Sequence, residues 1–211
     1  MARRPPVTPE NQISFTQELA RKATHLGALV VPAGYHLLGL SKAQALGIMI
    51  PATVLMILID VARLRGWSFW RRFGRRVIGP LIRSHEEAGD FTGAFYILIT
   101  FCVCIAAFAK PMAVAAMAFI VVGDSFAAVI GRRFGRHRLW GTASVEGSLA
   151  CLVGTLIVAL VVPELAPRVA VAGAVVAAVV ESLPTGIDDN VTVPVVSGLA
   201  MTLLDRYLMF S

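Results

Sequence analysis

Charge is scarce in this sequence. Asp, Glu, Lys and Arg make up 15% of its 211 residues, where ordinary soluble domains carry about 25%. Polar surface of that extent cannot cover a core in water, which excludes a soluble globule. The apolar set AVILMFWYC supplies 57% of the chain and mean hydropathy is +0.75, which excludes a disordered one. Cysteine is nearly absent. Cys102, Cys104 and Cys151 lie in apolar runs with no His or Cys at metal-ligand spacing, so they read as small packed hydrophobes. A disulfide-stapled secreted domain is excluded on the same count. Also missing are a Walker A Gly-x-x-x-x-Gly-Lys-Ser/Thr, a helix-turn-helix pattern and a zinc spacing, so neither a P-loop enzyme nor a nucleic-acid reader is expected. The start, MARRPPVTPENQ, lacks the apolar stretch and cleavage site of a signal peptide, and residues 1–12 read as a flexible tail. No internal repeat or second domain is visible, so residues 13–211 are expected to form one transmembrane helical domain.

What remains is apolar run after apolar run. Seven fall at about 26–40, 43–61, 91–108, 112–130, 144–162, 168–181 and 191–209, against a spanning requirement of about 17–25 residues. The expected fold is all-α, a polytopic integral membrane protein of about seven helices. Residues 67–83 differ: they interleave Trp, Phe and Ile with Arg71, Arg72, Arg75, Arg76 and Arg83, as an amphipathic segment on the membrane surface does. With the N-terminus cytoplasmic, 15 of the 19 basic residues fall inside the cell, including Arg3, Arg4, Arg63, Arg65, Arg133, Arg136 and Arg138. Only Lys42, Lys110 and Arg168 fall outside, and Arg206 lies within the last run. The net charge of +6 is then a topology signal.

Asp124 sits inside an apolar run, about six residues or roughly 10 Å from its cytoplasmic end. Ionisable groups there are costly and face a partner or a cavity. An Asp–cation or Asp–backbone lock between helices is one reading and a site the other. Ala127, Ala128, Gly131 and Gly135 follow on the same helical face, a strip that suits close helix packing or close approach of a ligand. Glu18, Arg21, Lys22 and His25 share one face at the entrance of the first run, and Glu146 opens the fifth. Glu181, Asp188, Asp189 and Asn190 lie at the turn between the sixth and seventh. All these polar clusters fall on the cytoplasmic side. Carboxylates and an Asn suit Mg²⁺, and Arg and Lys suit phosphate. The combination reads as a cytoplasm-facing site for a metal-bound nucleotide, reached by lipid from within the bilayer.

Five segments carry a family resemblance. They are Arg21-Lys22-Ala-Thr-His25; Arg83-Ser-His-Glu86 with Thr92-Gly-Ala-Phe-Tyr96; Gly123-Asp124 through Gly131-Arg-Arg-Phe-Gly135; Ser144-Val-Glu146-Gly147-Ser148; and Glu181-Ser-Leu-Pro184 with Ile187-Asp188-Asp189-Asn190 through Pro194. In order and content, from about residue 20 to 200, they resemble the polytopic CTP-dependent lipid-alcohol kinases, which act on dolichol, phytol or diacylglycerol. The Gly-Asp block is also distantly similar to CDP-diacylglycerol synthase. The resemblance implies phosphoryl transfer from a nucleotide, CTP or ATP, to a lipid alcohol at the cell membrane. It implies Mg²⁺ on Asp124, Asp188 and Asp189, and charge stabilisation by Arg21 and Lys22. Gly123, Gly131, Gly135, Arg132, Ser144, Gly147, His25 and Asn190 would bind the nucleotide. Glu146, Asp124 or Asp189 would serve the lipid hydroxyl as base, and Glu181 reads as closing the turn before Pro184. In one respect this chain departs from the family, which usually carries Lys before the Ser/Thr of the Glu-Gly segment; here that residue is Ala143. A cytidylyltransferase is the alternative enzyme and a transporter the non-enzymatic one, although transporters bind near the bilayer midplane. Membrane lipids are the expected surroundings, nucleic acid is not a partner, and a homo-oligomer is compatible with the sequence.

Single cysteines placed at residues 70–76 are expected to react with an impermeant thiol reagent only from the cytoplasmic side. Labelling from outside would invert the topology.

Overall fold

The computed structural model describes residues 15–68, 70–74, 89–140, 143–162 and 164–210. Among these residues of the protein, 81% are helical and none is in a strand. Its helices are α1 (Phe15–Gly27), α2 (Val30–Leu37), α3 (Lys42–Leu64), α4 (Gly93–Ala107), α5 (Lys110–Phe134), α6 (Val145–Val161), α7 (Pro167–Ser182) and α8 (Asp189–Phe210). A π-helical turn, Trp70–Gly74, follows α3. The tail 1–12 and the part of the basic segment beyond residue 74 lie outside the described residues.

Local chemistry sets the ends of these helices. Ser41 Oγ accepts from Gln44 N (3.2 Å) while Gln44 Oε1 accepts from Ser41 N (2.9 Å), a reciprocal cap on α3. Thr92 and Ser144 cap α4 and α6 through bonds to Phe95 N and Gly147 N. Prolines stand in the first turns of α5 and α7, where no donor is lost. α3 ends at Gly66, whose φ of 62° lets Trp67 N reach Ala62 O (2.9 Å) and Gly66 N reach Arg63 O (3.0 Å).

The expected first span, 26–40, is not one helix. Pro32 has no N–H to give Ala28 O, which accepts instead from Val31 N (3.1 Å). Ala28 N and Leu29 N likewise bond three residues back, to His25 O and Leu26 O. The tightened turn separates α1 from α2. The expected fourth span extends beyond its sequence estimate, so Asp124 stands ten residues, about 15 Å, from the end of α5.

α5 is the central helix. The other elements cover 67% of its apolar stretch, against 28% for α3 and for α8. Ala113, Ala115, Ala116 and Ala118 keep its flanks narrow, so neighbours approach closely. Around it Phe101, Ile105, Met117, Phe119, Ile120, Val169 and Met201 form one core. The outer faces are apolar too. Leu149, Val153 and Ile157 on α6, and Val171, Val175 and Val179 on α7, are exposed at four-residue spacing. Such stripes belong against lipid chains. Three described helices, α3, α5 and α8, are long and apolar enough to cross a membrane, and α4 and α6 are shorter apolar helices. The cysteines behave as expected: all three are free, and Cys104 and Cys151 are buried.

One buried carboxylate clasps α3 to α4. Asp60 Oδ1 accepts from Arg63 Nε (3.0 Å), and Asp60 Oδ2 from Thr92 N and Thr92 Oγ1 (both 2.9 Å). Arg63 also donates to Asp90 O. Asp60→Ala is expected to cost about 3–5 kcal/mol, because it leaves the Arg63 guanidinium without its buried counter-charge. A lowered unfolding midpoint in detergent would show this; an unchanged midpoint would mean that the clasp adds no stability.

Candidate active site

The depth of Asp124 on α5 requires a partner, and α1 supplies it. Lys22 donates through Nζ to Asp124 Oδ2. The Lys22 side chain is only 2% exposed and that of Asp124 23%, so the ammonium has given up nearly all its water for this carboxylate. His25, one turn further along α1, places Nε2 3.3 Å from the same oxygen. Lys22, nearly fully buried against Asp124, is the cation of the pair.

The opposite wall comes from the junction of α5 and α6. Residues 137–140 pair back against 143–145 as a hairpin, with Val145 N on His137 O (2.9 Å) and Leu139 N on Ala143 O (3.1 Å). Trp140 Nε1 donates to Ser182 O, which ties this hairpin to the end of α7. The turn delivers Ser144, 2% exposed, into its capping position. A Cβ on Gly131 would lie 3.3 Å from Gly147 Cα and from Ser144 Oγ, so the two helices cross almost backbone to backbone. A Cβ on Gly135 would come within 2.6 Å of Ser144 Oγ. The small-residue strip thus serves helix packing, and its Gly131 end also borders open space.

That space is a cavity of about 350 Å³. Arg21, Lys22 and Asp124 line one side, and Gly131, Arg132, Ser144 and Gly147 another. Asp189, at the start of α8, completes it together with Glu181 from α7. Segments separated by more than a hundred residues meet here, as the sequence motifs imply. Ala143, Ser148, Ala127 and Ala128 fill the remaining wall.

Other candidates stand outside the cavity. His25 lies behind the Lys22–Asp124 pair. Gly123 faces α6, where a Cβ would meet Cys151 Sγ at 2.9 Å. Glu146 accepts from His137 N (3.2 Å) and stands 2.7 Å from His137 Nδ1, which uses its carboxylate to hold the hairpin. Asp188 Oδ1 accepts from Asn190 N (2.9 Å) and Asn190 Nδ2 (2.7 Å), so both residues are occupied in capping α8. Glu181, read from the sequence as closing the turn before Pro184, does line the cavity, while backbone bonds such as Leu183 N to Val180 O (3.2 Å) close that turn. The available signal was an acid ending an apolar run. Ser148 carried no signal of its own.

The wall therefore offers cations, a helix N-terminus and three carboxylates in one space, a combination that suits a polyphosphate bound with a divalent cation. Among the described residues no three His, Cys, Asp or Glu side chains form a ready metal cage. Mg²⁺ does not need one, since it takes one or two carboxylates and completes its shell with phosphate oxygens and water. Asp124 and Asp189 fit that role.

Among curated proteins, the chain is 27% identical over 217 residues to CTP-dependent diacylglycerol kinase 1 of Schizosaccharomyces pombe, covering 92% of this chain and 96% of that protein. It is 25% identical over 135 residues to CTP-dependent diacylglycerol kinase 1 of Saccharomyces cerevisiae, covering 63% of this chain and 46% of the relative. The chain thus matches less than half the length of that second relative. No family model matches, and neither does any solved structure. The relatives are phosphotransferases by name, and they support the resemblance that the five motifs carry.

Proposed function

We propose that this protein is a membrane-embedded kinase that moves the γ-phosphate of a nucleoside triphosphate, CTP by the names of its relatives, to a lipid hydroxyl. Diacylglycerol is the alcohol those names favour; a polyprenol or phytol would fit the same description of an apolar chain with one hydroxyl. The observation that carries the reading is the cavity itself, where motif residues from α1, α5, α6 and α8 converge on a space of nucleotide-phosphate chemistry. The positive-inside bias puts that end of α5 in the cytoplasm, where the nucleotide is. In this reading the chain crosses seven times, and α1 and α2 together make the first crossing. They run antiparallel to α5, with Lys22 at Asp124 and Tyr35 beside Lys110, whose Nζ lies 5.0 Å from the Tyr35 ring centre.

Phosphoryl transfer needs positioning and charge neutralisation more than covalent help. Arg21 and Arg132, which both line the cavity, would neutralise the phosphates, and the α6 N-terminus adds its partial positive charge. Gly131 and Gly147 carry no side chain, so the phosphates can lie against the backbone. Asp124 and Asp189 would hold Mg²⁺, which would supply charge neutralisation to the nucleotide phosphates. Lys22, already beside Asp124, lies within the same charged wall and stabilises the departing diphosphate. The γ-phosphorus–oxygen bond breaks as the lipid oxygen bonds to phosphorus, leaving a nucleoside diphosphate and a lipid phosphate.

Purified protein with diacylglycerol and γ-labelled CTP is expected to yield labelled lipid. Transfer of label from cytidine-labelled CTP onto a lipid phosphate instead would make it a cytidylyltransferase, and solute flux without turnover would make it a transporter. The buried pair calls for a particular variant. Asp124→Asn alone strands the Lys22 ammonium and is expected to cost folded protein as well as turnover. Lys22→Met/Asp124→Leu replaces both charges, so it should recover the unfolding midpoint while turnover stays at background. Wild-type turnover in that double variant would reduce the pair to a helix lock.

Ala143→Lys tests the floor of the cavity. A charge-assisted bond to phosphate contributes about 1.5–3 kcal/mol, roughly ten- to hundred-fold in affinity. A gain of about tenfold in CTP affinity is expected by equilibrium dialysis. No change would remove the 143–147 segment from the phosphates.

A further inference from the structure

Transfer to an alcohol requires something to take its proton, and the cavity's carboxylates are not equally available for that. Asp124 is held by the Lys22 ammonium. Glu146 is spent on His137 and Asp188 on the α8 cap. Asp189 takes part in other interactions at the head of α8. Glu181 is different: among the described residues its carboxylate has no hydrogen bond or ion pair, yet it lines the cavity. It stands one helical turn beyond the fully or nearly fully buried Ala177 and Ala178, so it continues the inward face of α7. The charged groups acting on it from neighbouring elements are Asp124 of α5, Asp189 of α8 and Lys22 of α1.

Its depth matters as much as its freedom. α7 ends at Ser182, where the apolar helix gives way to the exposed turn 183–187 and then to the polar Asp188, Asp189 and Asn190. A lipid alcohol floats with its chains in the hydrocarbon and its hydroxyl at that same boundary. A membrane carboxylate of this kind belongs to a reaction or a partner rather than to solvent.

We propose that Glu181 is the catalytic base of the transfer, accepting the proton of the lipid hydroxyl. This rests on the kinase reading above. The O–H bond gives its proton to a Glu181 carboxylate oxygen while the lipid oxygen bonds to the γ-phosphorus. The bond from that phosphorus to the bridging oxygen breaks, and the electron pair leaves with the nucleoside diphosphate. Glu181 then returns its proton to water.

The test uses the full-length protein in detergent with Mg²⁺, CTP and dioleoylglycerol. Glu181→Gln is expected to lower kcat about 10²–10⁴-fold, the range for removing a general base. CTP binding by equilibrium dialysis should stay within about threefold, and the acidic limb of the kcat–pH profile should disappear. Glu181→Asp, with its shorter arm, should recover part of kcat with unchanged KM for CTP. Turnover within about threefold of wild type in Glu181→Gln overturns the proposal. So does a parallel loss of CTP binding, which would make Glu181 a metal or nucleotide ligand. If Glu181→Gln does not fold, Glu181→Asp decides: wild-type kcat per folded molecule overturns the proposal, and a reduced kcat at unchanged KM supports it. A wild-type protein that labels no lipid alcohol overturns the kinase reading instead, before either variant is considered.

Discussion

The Lys22–Asp124 pair is the contact on which the arrangement of this protein depends. An isolated charge taken out of water costs several kcal/mol even after relaxation, so neither residue tolerates its position without the other. Once Lys22 is tied to Asp124, the course of the N-terminal helices follows. A second anchor, Tyr35 beneath Lys110, fixes the far end against the start of α5. Lys110 also donates to Leu40 O (3.0 Å), and Lys42 crosses to Ala106 O (3.2 Å), so the loops there are stitched together. The tight turn at Ala28–Leu29 lies between the anchors and lets one chain satisfy both.

Lipid as solvent explains the rest of the economy of charge. Apolar side chains gain nothing by leaving lipid for one another, so helices associate through close packing and shared polar contacts. The alanines of α5 and the Gly131–Gly147 crossing provide the first. Thr155, which donates to Ala174 O (3.1 Å), and the Asp60 clasp provide the second. Arg21, Lys22, Asp124, Arg132, Glu181 and Asp189 gather around one cavity, so a single geometry meets the cost of burying charge there.

The site was legible in part because several of its residues violate the local rule. Asp124 in an apolar run, Gly131 and Gly135 on its helical face and an Arg-Lys pair before a hydrophobic segment all stand out in the sequence. They converge as their positions imply, with Arg21, Lys22, Asp124, Arg132, Ser144 and Asp189 around one cavity. Residues in dense polar motifs were harder to separate. Asp188 and Asp189 are adjacent letters, yet one caps α8 and the other faces the cavity, because helix geometry turns each residue by about 100° from the last. Glu146 has the credentials of a base until His137, nine residues back, folds over to claim it.

Composition and hydropathy by themselves pointed to a helical chain with runs long and apolar enough to cross a membrane, as α3, α5 and α8 are. Those properties are sums over many residues and do not depend on where any side chain points. Motif order was enough to name a chemistry, since phosphate and metal demand particular residue types. Which carboxylate is locked, which caps and which remains open was settled only in three dimensions. The reason is that availability is a property of neighbours: Lys22 and Asp124 are 102 positions apart in the chain, and only the fold makes them one group.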